Sequence, residues 1–249
     1  MTRSTGSNRL QPGPRVAGNR TLGVAAVDPV PIFRDGLAAM VQRAPGLHWV
    51  GQAANQHAIL QLSEQLRPDV VLLDSGLDPQ GHLVRLLSTG DRNVVIVMLV
   101  RHAHRTPQYL AGLVEAGAHG IVPRAAEARR LSEAIHRTHA DRHYVDPTLA
   151  ALTVKPKRAQ NGDSGMRVQM PLSRREYQVL QLLAEGLENA AIARMLFLSV
   201  ETVRTHVKSI LRKLSARDRT HAVTTAFRTG ILVIQPDDPR TDTAPAPRR

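Results

Sequence analysis

A chain of 249 residues, 42% of them hydrophobic, has enough apolar material for two ordinary domains, and its formal net charge of +12 calls for a polyanionic partner, either nucleic acid or an anionic membrane surface. The absence of cysteine excludes disulfides, thiolate metal sites and a cysteine nucleophile. No apolar run approaches the roughly 20 residues that span a bilayer, and the first residues lack the apolar segment of a secretion signal, so a soluble cytoplasmic protein without a membrane partner is expected.

In chain order, residues 1–20 are rich in Gly, Pro, Ser, Asn and Arg and read as a disordered basic tail. From residue 21 to 152 the apolar pattern alternates between strand-like and helix-like. Leu22–Val27, Val50–Ala53, Val70–Leu73 and Val94–Val100 are short, Val-rich runs of the kind that form buried parallel strands, with Gly120–Val122 as a shorter fifth. Between them Ile59, Leu62 and Leu66 share one helical face, and so do Leu131 and Ile135. Alternating strands and helices predict a doubly wound parallel sheet of five strands, covered on both faces. In such folds the chemistry gathers at the carboxyl ends of the strands, and Asp28 and Asp74 each follow one.

Residues 153–170 mix Lys, Arg, Pro, Gly and Asn without periodicity, as an interdomain linker does. Residues 171–232 are almost entirely helical in pattern, within a domain of 171–234, and 235–249, rich in Pro and Asp, read as a disordered tail. Ser173 and Glu176 form a capping box ahead of Val179, Leu180, Leu183 and Ala184, and Gly186 stops that helix. Asn189 is expected to cap a second helix and Ser199 a third. The third buries Val200, Val203, Val207, Ile210, Leu211 and Leu214 and offers Glu201, Arg204, Thr205, Lys208 and Arg212 on the other side. Asp218 is expected to cap a fourth helix bearing Ala222, Val223, Ala226 and Phe227. Two short helices joined by a tight turn, the second ending in cations, is the pattern of a helix-turn-helix. Arg204, Thr205 and Lys208 project from one side, where Arg and Lys can bond guanine edges in a major groove. An amphipathic helix with a solvated basic face fits the periodicity equally well.

The stretch from Pro171 to Val223, with LSxRE, LLAEG, IAxxLFLSxxTVRTHV, ILRKL and ARDRTxAV in register, resembles the LuxR-type helix-turn-helix of NarL/FixJ response regulators. The resemblance implies that Arg204, Thr205 and Lys208 read bases and that Ser199, Thr202 and His206 lie near the DNA backbone. Arg212, Lys213, Arg217 and Arg219 suit phosphates, which position a protein without reading sequence. It further implies a homodimer on paired half-sites, formed through the last helix with Ala222, Val223, Ala226 and Phe227.

The first 150 residues resemble the flavodoxin-like receiver that precedes this helix-turn-helix in the same family, through DPVPIFRDGLAAM, RPDVVLLDSGL, EAGAHGIVPRA and RHYVDPTLA. Asp74 matches the aspartate that a sensor kinase phosphorylates in working receivers, with Mg²⁺ held by that aspartate and by carboxylates after the first strand. Here Asp28 keeps the first acidic position, but Pro29 replaces the second, Val100 stands where a hydroxyl is expected, and Arg124 stands in place of the lysine. Each change removes a part of the mechanism: a metal ligand, the hydrogen bond that couples phosphate to loop movement, and the lysine's reach. The expectation is a degenerate pocket at Asp28, Pro29, Val100 and Arg124, a receiver that works without phosphorylation, and no cofactor, Mg²⁺ at Asp28 and Asp74 entering only with phosphorylation. The alternative is a conventional two-component response regulator phosphorylated on Asp74.

Eleven histidines invite a metal site. His102 and His104, and His136, His139 and His143, lack a convincing third ligand, so surface histidines are expected. Dinucleotide-binding and Walker-type loops are absent from the sequence, so no enzyme activity is anticipated. Transcription regulation also makes RNA polymerase a candidate partner. A sigma-factor-like protein would need a polymerase-binding helical domain, and a nonspecific architectural protein would bind all sequences with steep salt dependence.

Overall fold

In a computed structural model, residues 21–90, 93–153 and 172–234 are described. The expected linker lies outside them apart from Thr153, and both expected tails lie outside them entirely. The first unit alternates strand and helix: β1 (Leu22–Val27), α1 (Pro31–Arg43), β2 (Leu47–Ala53), α2 (Gln56–Leu66), β3 (Val70–Asp74), α3 (His82–Gly90), β4 (Val95–Val100), α4 (Pro107–Ala116), β5 (Gly120–Pro123), α5 (Ala128–Asp141), β6 (Tyr144–Val145) and α6 (Pro147–Thr153). All strand pairs are parallel, in the order β2-β1-β3-β4-β5-β6. The sheet thus has six strands rather than the five expected. The sixth, Tyr144–Val145, is too short for periodicity to mark, and forms because Tyr144 and Val145 align with Gly120 and Ile121.

Every residue of β1, β3, β4 and β5 is buried, which explains their unbroken apolar runs. Side chains on alternate positions enter two separate cores: Val24, Leu72, Val97 and Val122 pack with α1 and α5, while Val27, Leu73, Met98 and Ile121 pack with α2, α3 and α4. β2 sits at the sheet edge, which accounts for its half-exposed residues.

The second unit is helical: α7 (Arg174–Ala184), α8 (Asn189–Leu196), α9 (Val200–Lys213) and α10 (Arg219–Arg228). Ser173 and Glu176 close the expected capping box, and Ser199 and Asp218 cap α9 and α10 through the amides of Thr202 and His221. Gly186 follows α7 at φ 82°, the left-handed region that glycine enters without steric cost. Asn189 is not the cap of α8: that place is held by Glu188, and Asn189 is the first helical residue. The turn into α9 passes through Phe197 at φ 54°, fully in solvent.

The core around α2, α3 and α4 continues into that of the helical unit, where Tyr177, Val179, Leu180, Ile192, Val203, Ile210, Ala222 and Ala226 are buried. The two units meet through α7 and residues 230–233 on one side and α2, α3 and the 75–80 loop on the other. His82 lies against the ring of Tyr177 at 5.2 Å, His57 Nδ1 is 3.2 Å from Gln181 Oε1, and Arg174 Nε donates to the carbonyl of Leu86 at 3.1 Å.

Candidate nucleic-acid interface and receiver pocket

The amphipathic division of α9 is as the spacing predicts on most positions. Val203 and Ile210 are fully buried and Val207 and Leu211 half-buried, whereas Val200, at the first turn, is exposed. Arg204, Thr205 and Lys208 all point away from the core and are exposed among the described residues. In the free chain Arg204 is paired with Glu201 at 3.0 Å, and the Thr205 hydroxyl donates to the Glu201 carbonyl at 3.1 Å. Ser199 and Arg212 are exposed, and Thr202 and His206 are half-buried beside them. Arg217 is exposed near Asp218, and Arg219 donates to the Leu187 carbonyl while remaining exposed.

Three of the expected roles do not survive the packing. Lys213 does not face solvent as a phosphate ligand: its Nζ lies 2.7 Å from Glu176 Oε2 and its side chain is only 16% exposed. Glu176 also accepts from Ser209 Oγ at 2.6 Å and from the Ser173 amide at 2.6 Å. Burial raises the Glu176 carboxyl, but these donors, Lys213 first, outweigh it and bring the group down to about 2. The capping box therefore doubles as a pin between α7 and α9. Ala222 and Ala226 are fully buried in their own domain, because α10 uses that face to pack on α7 and α9. Of the four residues expected in a dimer contact, half-buried Val223 and exposed Phe227 remain outward on α10.

The carboxyl ends of the strands gather charge where the chain reverses direction across the sheet, between β1 and β3. Asp74 closes β3 and Asp28 follows β1; both are completely buried. Asp28 Oδ1 accepts the Val30 amide at 2.8 Å, and Arg124 donates to Asp28 through Nε and Nη2 at 3.0 Å each. Arg124 is sandwiched on its other side by the Phe33 ring, 3.7 Å away, a cation–π contact that fixes the guanidinium in place. Burial outweighs these donors and raises the Asp28 carboxyl above its ordinary range. Pro29 is half-buried and supplies neither carboxylate nor amide.

The residue that meets Asp74 was not legible in the sequence. Val100, the expected switch position, is fully buried in the sheet core. Arg101, the next residue, turns out of β4 and places Nε 2.8 and 2.7 Å from the two carboxylate oxygens of Asp74. Its amide donates to Ser75 Oγ at 2.9 Å. Gly76 makes this possible: a Cβ there would sit 2.6 Å from the Arg101 guanidinium carbon. The hydrogen bonds to Asp74 hold the Arg101 proton more firmly than usual, against a smaller opposing effect of burial.

Two buried carboxylates thus face two guanidinium groups, and Arg124 Nε is also 3.7 Å from Asp74. The set is close to electroneutral and its carboxylate lone pairs are already engaged. This donor set does not fit a divalent cation, which needs free oxygen ligands and would be repelled by both arginines. Elsewhere, among the described residues, no group of three His, Asp or Glu side chains could hold a metal ion, and no helix is long and apolar enough to cross a membrane. His136 is half-buried and bonds the Pro45 carbonyl.

Comparison with known proteins matches the helical unit to a family and most of the chain to known regulators. The family described as bacterial regulatory proteins, luxR family, matches residues 170–226. The transcriptional regulatory protein YxjL of Bacillus subtilis is 32% identical over 216 residues, covering 84% of this chain and 96% of its own length. The nitrate/nitrite response regulator protein NarL of Escherichia coli K12 is 28% identical, over 80% of this chain and 92% of its own. Among solved structures, the RcsB response regulator of Salmonella typhimurium shares the fold with a TM-score of 0.50 at 20% identity, over 82% of this chain and 97% of that one.

Proposed function

The chain belongs to the LuxR family of response-regulator transcription factors, and we propose that it is a sequence-specific regulator that binds double-stranded DNA in the cytoplasm as a homodimer, under the control of a receiver that does not use aspartyl phosphate. The observation that carries the DNA-binding part is α9: an aliphatic side pressed into its own domain and a basic side, Arg204, Thr205 and Lys208, left in solvent. A helix so mounted enters a major groove as a rigid rod, its side chains already aimed outward. Arg204 and Lys208 suit guanine edges. Ser199, Thr202, His206, Arg212, Arg217 and Arg219 surround them at positions suited to phosphates. The formal charge of +12 adds long-range attraction to the duplex. RNA polymerase is a natural further partner of such a regulator.

The independence from phosphate is supported by Arg101 and Arg124, which already neutralise Asp74 and Asp28. A phosphoryl group would have to displace Arg101 and would find no hydroxyl on Val100. Selection of binding sites from random duplexes tests the whole reading. Paired half-sites separated by about one helical turn are expected, recovered equally well with or without a small phosphodonor. Recovery of no preferred sequence would overturn it.

A further inference from the structure

We propose that Gln56 is the positioning residue through which the turn carrying Asp74 holds the DNA-reading domain in a single pose. The proposal rests on the two-domain regulatory reading above. Gln56 is the first residue of α2 and only 4% exposed, yet both ends of its amide are used. Nε2 donates to the Leu77 carbonyl at 2.6 Å, and Oε1 accepts the Val233 amide at 3.2 Å. One side chain thereby joins the receiver turn to the last described stretch of the helical domain.

The Leu77 end belongs to the pocket. Residues 75–77 form a single helical turn whose cap is Asp74, with the carboxylate accepting the Gly76 amide at 3.4 Å. Arg101 holds the same turn twice, by its side chain on Asp74 and by its amide on Ser75 Oγ. His104 Nδ1 adds a contact to Ser75 Oγ at 2.8 Å, and Tyr109 donates to the Asp78 carbonyl at 2.9 Å. Any change in the pairing of Arg101 with Asp74 moves this turn, and the Leu77 carbonyl moves with it.

The Val233 end belongs to the docking surface. Gly230, at φ 69°, turns the chain so closely over the receiver that a Cβ would lie 3.1 Å from Pro79 Cγ. The adjacent Ile231 carbonyl accepts the hydroxyl of buried Tyr177. Docked in this way, the domain keeps its back, α7, against the receiver and its reading helix outward. Because Gln56 is buried and bonded at Nε2, a shift of the Leu77 carbonyl draws its amide along and strains the bond to Val233 at the other end.

The test is residue-resolved hydrogen exchange of the full chain without DNA, which keeps it separate from the DNA-binding reading. Arg101→Ala should speed exchange at the Val233 amide about tenfold. Gln56→Leu should give the same acceleration, and adding Arg101→Ala to it should give no more. Gln56→Glu retains the acceptor for Val233 but cannot donate to Leu77, so Val233 should stay protected and become indifferent to Arg101→Ala. If Gln56→Leu unfolds the receiver, seen as lost protection at Val71 and Ile96, Val233→Pro removes the donor from the other side and should enlarge the chain in small-angle X-ray scattering. An unchanged Val233 rate in Arg101→Ala, or an unchanged envelope in Val233→Pro, overturns the proposal.

Discussion

Arg101 and Asp74 form a closed pair at the carboxyl end of the sheet, Nε lying 2.8 and 2.7 Å from the two oxygens of a carboxylate that has no solvent exposure. Removing one member of such a pair strands the other. Arg101→Ala should therefore destabilise the receiver by about 3 kcal/mol in urea unfolding, less the part that Arg124 recovers from 3.7 Å away. The same variant should acquire a stabilisation by Mg²⁺ that the unaltered chain lacks, because the freed oxygens are the ligands such a cation seeks. Asp74→Asn should leave DNA affinity within roughly twofold. Equal Mg²⁺ stabilisation of variant and unaltered chain would contradict the pairing as the reason for phosphate independence.

Two lysines on one helix should part company. Lys208 is exposed on the reading face, whereas Lys213 is clamped to Glu176. Lys208→Ala should relax the preference at one base position, costing about 1–3 kcal/mol of binding to the preferred site with little change in thermal stability. Lys213→Met should do the reverse, lowering domain stability by about 3 kcal/mol because Glu176 loses its cation while buried. Binding measured on the folded fraction of Lys213→Met should be nearly normal. Equal losses of binding on every duplex with Lys208→Ala would deny it a role in reading bases.

What could be read in the sequence was whatever leaves a local pattern. The strands announce themselves because their residues are buried on both faces, and the caps at Ser173, Ser199 and Asp218 because capping acts over three residues. The pocket was half legible: Asp28, Asp74 and Arg124 follow strand ends, and their convergence comes from the sheet order. Arg101 left no signal, since whether residue 100 or 101 faces the carboxylates depends on where β4 ends. Lys213 and Ala222 were misplaced for a related reason. Residue type had placed Lys213 outward and the family resemblance Ala222, and the packing of α7 against α9 and α10 turns both inward.

Glu201 lies 3.0 Å from Arg204 on the outer face of α9, with both side chains in solvent. An exposed pair of this kind adds little to stability, but it offers the arginine an anion before DNA does. Glu201→Gln should leave thermal unfolding unchanged and strengthen binding to all duplexes. The slope of log affinity against log salt should steepen by about one unit, as for one additional phosphate contact. The change should be seen on random and preferred sequences alike, and a gain confined to one base position would show instead that Glu201 is itself part of the readout.

The docking of the two domains should respond to acid through His82. This ring is half-buried against Tyr177, its Nε2 without a hydrogen-bond partner among the described residues, and burial, then Arg85, lowers it from 6.5 to about 4. The unfolded chain takes up that proton at higher pH than the folded one. The contribution of a neutral His82 is therefore fully present above pH 6.5 and is lost as pH falls toward about 4. Asp78, four residues earlier, has the opposite sign: burial raises it from 3.8 to about 6, so its contribution is fully present in acid and is lost as pH rises through about 6. The two responses offset one another between pH 4 and 6. His82→Phe should uncover the Asp78 response, with stability to urea rising as pH is lowered across that range. The difference between variant and unaltered chain should grow by about 3 kcal/mol from neutral pH to pH 4. A constant difference at every pH would mean that His82 takes up its proton equally in the folded and unfolded chain, and would remove it from the interface as a ring kept neutral by burial.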